Sequence, residues 1–218
     1  MNQKLEQDAY IELRAHMVRT QLADRGIRDP RVLQAMLDVP RHEFIPEELR
    51  AGAYEDRPLP IGAGQTISQP YIVALMLQHL ALQPRDRVLE VGTGSGYVTA
   101  LLLHLCSEVY SVERYPELAE PAKRVLERLG HTNLQVIVGD GSRGVPEHAP
   151  FDAILVSAAT GEVPRALFDQ LRDRGRMIVP VGPPFTQELQ LVRKINDKPD
   201  VEHLEGCRFV PLVTDKSL

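Results

Sequence analysis

A short glycine-rich segment near the middle of the chain has the residue types that hold a nucleoside. Residues 90–96 read Glu-Val-Gly-Thr-Gly-Ser-Gly and lie between two apolar runs. Glycines let the backbone turn tightly and approach a ligand without side chains in between. Glu113 closes the next apolar run, where an acidic side chain can accept hydrogen bonds from both hydroxyl groups of a ribose. The spacing therefore predicts a nucleoside site at two strand ends.

The spacing of the glycines indicates which nucleoside is bound. A dinucleotide fingerprint, G-x-G-x-x-G, would require glycine where Tyr97 stands. The observed G-x-G-x-G, with an acidic residue in front, is the version seen in S-adenosylmethionine methyltransferases, which contact the adenine at the position of Asp140-Gly141. Alone, the glycines would also suit a tight turn that binds nothing. The predicted cofactor-binding residues are Glu90, Gly92, Thr93, Gly94, Gly96, Glu113, Asp140 and Gly141.

The residues after the fourth apolar run restrict the methyl acceptor. Residues 156–159 read Val-Ser-Ala-Ala, without the Asn/Asp-Pro-Pro-aromatic stretch of amino-group methyltransferases. Cys106 and Cys207 lie in apolar surroundings that suit core residues better than an activated nucleophile, and no metal-ligand cluster is evident. A carboxylate is ionised at neutral pH and needs no general base, so the protein has chiefly to align it and exclude water.

The elements that position these residues alternate between strand and helix from residue 85 onward. Continuous apolar runs are typical of strands covered by helices on both faces, and their alternation with helices predicts parallel crossovers. The predicted strands are Arg87–Val91, Glu108–Val112, Leu134–Val138, Ala153–Val156 and Met177–Val179, and the predicted helices begin after Gly96 and cover Pro116–Leu129 and Pro164–Leu171.

The two ends of the chain differ from this pattern. Leu5–Leu22 carries Ala9, Leu13 and Met17 at helical spacing, and Asp29-Pro30 opens a second helix that should stop before Pro40. Residues 40–70 hold five prolines and three glycines, which predicts short helical pieces and a long loop. At the other end, residues 188–195, a turn at 196–200 and an extended run through 209–210 predict an antiparallel pair.

Several segments outside the glycine-rich region resemble one enzyme family. The segments are Val39–Pro46, Ala53–Gly62, Gly64–Pro70, Gly139–Gly141, Ala149–Ile154, Val179–Gly182 and Arg208–Leu212. Together they resemble the protein-L-isoaspartate O-methyltransferase family, whose substrate loop corresponds to residues 64–70. The resemblance covers nearly the whole chain except the first two dozen residues and the tail. It implies an α/β, Rossmann-like S-adenosylmethionine methyltransferase fold: a doubly wound, mostly parallel sheet, an antiparallel C-terminal pair and an N-terminal helical and loop extension.

The resemblance also implies the reaction. The cofactor's methyl group would pass to the free carboxylate of an L-isoaspartyl residue in a damaged protein, and the ester would collapse to a succinimide that hydrolyses in part to normal aspartate. Ser68 would hydrogen-bond the acceptor carboxylate and act as the catalytic residue, while Thr66 and Ile67 would complete the substrate pocket.

Other interpretations remain open at this point. Ser68 precedes Pro70 and an apolar stretch, so it could simply cap a helix. His42 is expected to be a structural histidine rather than a base, and Tyr97 is expected to pack near the cofactor. The enzyme could instead methylate a small molecule or RNA, or the chain could be a module that binds the cofactor or a protein partner without catalysis.

Composition sets the remaining expectations. The chain has 218 residues, a formal net charge of −5 and two cysteines, which favours one domain without a cationic face for nucleic acid. Its polar start lacks the apolar core of a signal peptide. We expect a cytoplasmic monomer that acts on isoaspartyl proteins and peptides, without nucleic-acid, membrane or metal binding. Within the domain 1–218 we expect an N-terminal part (1–84), a cofactor-binding core (85–182) and C-terminal strands (183–218).

Overall fold

The computed structural model describes residues 3–215, with side chains from residue 7 onward. Residues 1–2 and 216–218, which the expected domain boundaries include, lie outside the described part. The helices and strands in chain order are α1 (Gln3–His16), α2 (Pro30–Asp38), β1 (Leu59–Gly62), β2 (Gln65–Ile67), α3 (Pro70–Leu80), β3 (Arg87–Val91), α4 (Tyr97–Leu105), β4 (Glu108–Glu113), α5 (Pro116–Arg128), β5 (Leu134–Val138), β6 (Phe151–Val156), α6 (Arg165–Asp169), β7 (Leu171–Val181), β8 (Gln187–Ile195) and β9 (Lys198–Cys207).

Seven strands form one sheet in the order β5-β4-β3-β6-β7-β8-β9. The five strands from β5 to β7 are parallel, and β8 and β9 are added antiparallel at the end. The predicted fold class, with its mostly parallel sheet and antiparallel C-terminal pair, is confirmed. The strand order reverses on the two sides of β3, and ligands of such sheets bind beyond the carboxyl ends of the strands at this reversal.

Two apolar clusters cover the two faces of the sheet. Side chains alternate between faces along a strand, and accordingly Val88 belongs to one cluster while Leu89 and Val91 belong to the other. The first cluster includes buried residues of α2, α3 and α4, and the second includes residues of α6 and the loop before β6. Because β3 is buried from both sides, its carboxyl end is a rigid support for the loop that follows.

The segment expected to be a long loop contains a hairpin that the sequence did not indicate. β1 and β2 pair antiparallel, with Leu59 opposite Ile67 and Pro60 opposite Thr66. Proline is tolerated here because a two-stranded ribbon has free edges where no N–H is needed. The expected helical pieces are present as 3₁₀ turns at Arg41–Phe44 and Glu47–Gly52. The hairpin fixes the position of the acceptor loop, defined here as residues 64–70.

The first helix differs from its predicted form. α1 ends at His16 and continues as a π-helical segment, Met17–Leu22. Of the three apolar residues at helical spacing, Met17 is buried, whereas Ala9 and Leu13 are exposed, so only the end of this stripe reaches the core. The second helix was predicted correctly: Asp29 accepts a hydrogen bond from the Arg31 backbone N at 2.9 Å, and α2 ends before Pro40.

The C-terminal strands are longer and more tightly joined than predicted. β7 begins at Leu171 rather than Met177, which shortens the preceding helix. The β8–β9 turn contains only Asn196 and Asp197, both with positive φ, as a two-residue hairpin requires. β9 ends before Phe209. The following C-terminal segment, residues 208–215, runs beside Ala159, whose N–H donates to Val210 O at 2.8 Å. No described helix has the length and apolar character needed to span a membrane.

Candidate active site

The glycine loop, residues 92–96, leaves the carboxyl end of β3 and enters α4. Gly96 has φ of +87°, and a Cβ there would lie 3.2 Å from the Ala122 side chain. A side chain at Gly96 would therefore both strain the backbone and push α5 away. The other glycine that close packing requires is Gly141, where a Cβ would lie 2.6 Å from Val91 Cγ1. Glycine at these positions brings three backbone segments together around one crevice.

Glu113 is placed as predicted, at the end of β4 beside the glycine loop. Its Oε2 accepts a hydrogen bond from Gly94 N at 2.8 Å, and its Oε1 accepts one from Tyr115 N at 2.9 Å. The residue is 5% exposed and lines the crevice. Each carboxylate oxygen has more than one lone-pair site, so both can accept further hydrogen bonds from a ligand.

Glu90 lies beneath the glycine loop rather than in the wall of the crevice. Its side chain is fully buried, and its Oε2 accepts hydrogen bonds from Thr99 Oγ1 at 2.5 Å and Ser111 Oγ at 2.6 Å. Thr93 Oγ1 lies 2.5 Å from the same Ser111 hydroxyl. Burial raises the pKa of Glu90 to about 8, because desolvation disfavours the charged form. Its Oε1 is buried without a partner.

Of the Asp140-Gly141 pair, only Gly141 lines the crevice, whereas the Asp140 side chain makes structural hydrogen bonds. The Asp140 carboxylate caps the following 3₁₀ turn through Ser142 N at 3.0 Å, and its other oxygen accepts a hydrogen bond from Asp215 N at 2.9 Å. The predicted contact of Asp140 with an adenine therefore stays a prediction.

The acceptor loop reaches the same crevice from the opposite side. Thr66, Ile67 and Ser68 line it. Ser68 does not cap α3: the N-cap residue is Gln69, without a side-chain hydrogen bond, and the capping interpretation of Ser68 was wrong. Instead, Asp56 Oδ1 accepts from Tyr71 N at 3.0 Å in the first turn. The Ser68 hydroxyl thus remains available in the crevice.

The crevice has the chemistry of a nucleoside site. It holds about 730 Å³ of empty space, counting the part open to solvent. Its described lining combines apolar walls, backbone amides and the Glu113 carboxylate. The only cationic side chain in that lining is Arg114, so nothing there clamps a pyrophosphate. The lining residues are Gln65–Ser68, Val91–Ser95, Tyr97, Val98, Val112–Tyr115, Gly141, Ser157, Ala158 and Val210–Val213. These residues fit S-adenosylmethionine.

Two parts of this wall were not predicted from the sequence. Ser157 and Ala158 were considered only for excluding other acceptors, yet they line the crevice after β6. Val210–Val213 complete the wall, and Leu212 N donates to Ala159 O at 2.8 Å. The strand order could have indicated the first pair, because β6 adjoins β3. No local signal indicates the second, since it depends on the path of the chain after β9.

His42, Cys106 and Cys207, the other candidates for a base or a nucleophile, lie in surroundings typical of structural residues. His42 is buried, stacks on Tyr10 with ring centroids 3.9 Å apart, and lies 2.7 Å from the Tyr54 hydroxyl through Nδ1. Burial lowers the pKa of His42 to about 4, and the ring does not line the crevice, as expected for a structural histidine. Burial raises the pKa of Cys106 to about 12 and that of Cys207 to about 11, which suppresses thiolate formation. The described residues contain no cluster of His, Cys, Asp and Glu suited to a metal ion.

Comparison with known proteins gives one consistent result. The pattern that defines the protein-L-isoaspartate(D-aspartate) O-methyltransferase family matches residues 13–217. The chain is 54% identical over 200 residues to the protein-L-isoaspartate O-methyltransferase of Koribacter versatilis, covering 92% of this chain and 90% of the relative. The enzyme of that name from Methanoculleus marisnigri is 52% identical over 209 residues, which cover 96% of this chain and 95% of the relative.

Solved structures agree with the sequence comparison. A Plasmodium falciparum structure, described as a protein-L-isoaspartate O-methyltransferase in complex with S-adenosyl-L-homocysteine, is similar with a TM-score of 0.80 and 30% identity. The match covers 92% of this chain and 98% of that one. A second structure with the same enzyme name has a TM-score of 0.81 and 33% identity, covering 91% of this chain and 65% of its own.

Proposed function

The chain belongs to the protein-L-isoaspartate(D-aspartate) O-methyltransferase family, and we propose that one crevice carries its reaction. The enzyme transfers a methyl group from S-adenosylmethionine to the free carboxylate of L-isoaspartyl residues in damaged proteins. Methylation replaces the carboxylate oxygen by methoxide, a better leaving group, and methanol departs when the neighbouring backbone amide nitrogen attacks the ester. The ester thus collapses to a succinimide without further catalysis, and hydrolysis then returns part of the product as normal aspartate.

The glycine loop and Glu113 form the cofactor side in this proposal. The Glu113 carboxylate is already oriented by the amides of Gly94 and Tyr115, and its remaining lone pairs would accept from the ribose hydroxyls. Gly92, Gly94 and Gly141 provide backbone without side chains beside the bound nucleoside. Glu90, Thr93, Gly96 and Asp140 would contribute by shaping the loops. When bound, S-adenosylmethionine supplies an electrophilic methyl group on a sulfonium.

Ser68 forms the acceptor side. Its hydroxyl would donate a hydrogen bond to one oxygen of the isoaspartyl carboxylate and leave the other oxygen to face the methyl group. Thr66 and Ile67 would form the wall between the acceptor and the cofactor. Val210–Val213 would limit the access of water, which strengthens the hydrogen bond between Ser68 and the carboxylate.

The observation that carries this proposal is that the cofactor side and the acceptor side meet in one crevice, and that the described lining of this crevice offers no free general base. The described lining contains no histidine, cysteine or lysine, and its single carboxylate, Glu113, accepts two backbone hydrogen bonds. Hydroxyl or amine acceptors would need such a base, whereas a carboxylate with a pKa near 4 does not.

We further propose that residues 1–218 form a single domain and that the enzyme acts as a cytoplasmic monomer on isoaspartyl proteins and peptides. The one central sheet that receives the N-terminal and C-terminal parts supports a single domain. The net charge of −5 opposes binding to nucleic acid or to an anionic membrane surface.

The proposed acceptor can be tested with two peptides of identical sequence, one with an L-isoaspartyl linkage and one with normal aspartate. Tritiated S-adenosylmethionine should label the isoaspartyl peptide alone, in a form that is released by base. Label on neither peptide, from protein that binds S-adenosylhomocysteine, would reject the acceptor and favour a small molecule or RNA in its place.

A further inference from the structure

Arg41 is a fully buried cation behind the acceptor loop. It begins the 3₁₀ segment Arg41–Phe44 that follows α2, and it is 0% exposed. Burial lowers the pKa of Arg41 to about 10, so the guanidinium is still charged at neutral pH. Its two well-oriented hydrogen bonds among the described residues go to backbone carbonyls, while Tyr97 and the Asp56 carboxylate also favour its charged form without outweighing the effect of burial.

The two carbonyls belong to segments that are distant in the sequence. Arg41 Nε donates to Ala53 O at 2.9 Å, and Nη2 donates to Ser68 O at 2.8 Å. The guanidinium is a rigid plane, so these two bonds fix the spacing between residue 53 and the acceptor loop. The third nitrogen, Nη1, is buried without a partner, and the guanidinium carbon lies 4.9 Å from the centre of the Tyr97 ring.

Burying a guanidinium in this way is unfavourable for the free energy of folding, which is difficult to explain if Arg41 only fills the core. A buried cation loses its hydration, and neutral carbonyls compensate for that loss less well than a carboxylate would. An apolar side chain of similar length would avoid the cost. An apolar side chain could not, however, donate a hydrogen bond to the carbonyl of Ser68, the residue whose side chain faces the crevice.

We propose that Arg41 is a positioning residue for methyl transfer, which holds the Ser68 carbonyl so that the Ser68 hydroxyl points at the acceptor carboxylate. The inference rests on the proposed function, because it requires Ser68 to contact the acceptor. Arg41 itself touches neither substrate nor cofactor.

A second set of contacts holds the residues that follow. Asp56 Oδ2 accepts from Gln69 Nε2 at 2.7 Å, and Asp56 Oδ1 accepts from Tyr71 N at 3.0 Å. Without Arg41, the start of α3 therefore keeps its support, while residue 68 loses the contact on its carbonyl. The expected defect is a misdirected serine in an otherwise folded enzyme, with the glycine loop and Glu113 keeping their own contacts.

The test compares Arg41→Met and Arg41→Lys with Arg176→Met. Arg176 is a control for the loss of a part-buried arginine because it also donates to backbone carbonyls, those of Leu80 and Ala81, at the far end of α3. It pairs in addition with Asp86 at 2.6 Å, so its replacement should destabilise the fold at least as much. We expect Arg41→Met to lower kcat for an isoaspartyl peptide about 100-fold, since a displacement of about 1 Å can have that effect. Arg41→Lys keeps the charge but can reach only one of the two carbonyls, so its kcat should lie between those of wild type and Arg41→Met. Affinity for S-adenosylhomocysteine should fall much less than kcat, because Arg41 approaches the cofactor side only through the Tyr97 ring, 4.9 Å from its guanidinium carbon.

Hydrogen exchange supplies a readout that does not depend on turnover. Amides of residues 65–69 should exchange about 10-fold faster in Arg41→Met or Arg41→Lys, whereas Arg176→Met should leave them unchanged. The proposal is overturned if the Arg41 variants are destabilised like Arg176→Met but keep wild-type kcat and wild-type exchange in that loop. If wild-type enzyme fails to methylate the isoaspartyl peptide, the proposed function fails instead, and the exchange data still report whether Arg41 holds the loop.

Discussion

The two sides of the crevice are built in different ways. The cofactor side consists of loops that directly follow parallel strands, and its main contacts are between neighbouring strand ends, as between Glu113 and Gly94. The acceptor side consists of a hairpin and the C-terminal segment, which approach from distant parts of the chain. Its position depends on single long-range side chains, above all Arg41 and Asp56.

This difference shows how one fold can keep its cofactor and change its acceptor. The cofactor loops are fixed by the sheet itself, because β3 is buried on both faces and carries the glycine loop at its end. The acceptor loop can be moved by changing a few contacts outside the sheet. Variants on the two sides should therefore separate cofactor binding from methyl transfer.

The largest effect is expected on the cofactor side, from Glu113→Ala. The change removes the acceptor for two backbone amides and for the proposed ribose hydroxyls, and hydrogen bonds to a charged group contribute about 1.5–3 kcal/mol each. Affinity for S-adenosylhomocysteine, measured by calorimetry, should fall at least about 100-fold by the same reasoning. Glu117→Ala, on the exposed first turn of α5, is the control. Unchanged affinity in Glu113→Ala would remove this residue from the site.

On the acceptor side, Ser68→Ala should lower kcat/KM for an isoaspartyl peptide about 10- to 100-fold, the value of one hydrogen bond to a carboxylate. Affinity for S-adenosylhomocysteine should not change, because the hydroxyl is proposed to contact only the acceptor. Ser107→Ala, at the opposite end of the sheet, is the matched control. A parallel loss of cofactor affinity in Ser68→Ala would contradict the separation of the two sides.

A smaller effect is expected from Glu90, which should change the pH dependence of thermal stability and not cofactor affinity. Because burial raises the pKa of Glu90 from 4.5 to about 8, the folded protein binds a proton that the unfolded chain releases above about pH 4.5. The stabilisation from this group is therefore complete below about pH 4.5 and is lost as the pH rises towards 8. Glu90→Gln cannot titrate there. The wild-type Tm relative to this variant should fall by at least about 3 °C between pH 4.5 and 8.5. A constant difference would mean that Glu90 is ionised in the folded protein.

The smallest effect is expected from the C-terminal segment. Asp215 pairs with Arg114 and Arg143 at 2.7 Å each, but its side chain is 42% exposed, so solvent weakens both ion pairs. Asp215→Asn should raise KM for the peptide about two- to three-fold at low salt and less at high salt. Asp173→Asn, at an exposed pair far from the crevice, should leave KM unchanged. A larger, salt-independent rise would assign Asp215 a direct contact with the substrate.

The accuracy of the sequence analysis follows the same division. The presence and sequence positions of the five parallel strands, the helix cap at Asp29 and the placement of Glu113 were predicted correctly, because each depends on a pattern within a few residues. The predicted bounds of β7 were wrong. The exposed Ala9 and Leu13 show the limit of that reasoning, since helical spacing does not reveal which face finds a partner. The capping interpretation of Ser68 failed because Asp56, outside the local sequence, takes that role.

The sequence by itself determined the parallel core, the glycine loop, the acid at the end of β4 and, through resemblance, the reaction. Local backbone preferences and continuous apolar runs are sufficient for these features. Only the tertiary structure decided how the hairpin, the C-terminal segment and Arg41 surround the acceptor. Among these contacts, the Arg41–Ser68 pair joins residues 27 positions apart, and the Asp140–Asp215 pair joins residues 75 positions apart. Their geometry exists only once the core has closed, because no local pattern encodes which distant carbonyl a buried side chain will meet.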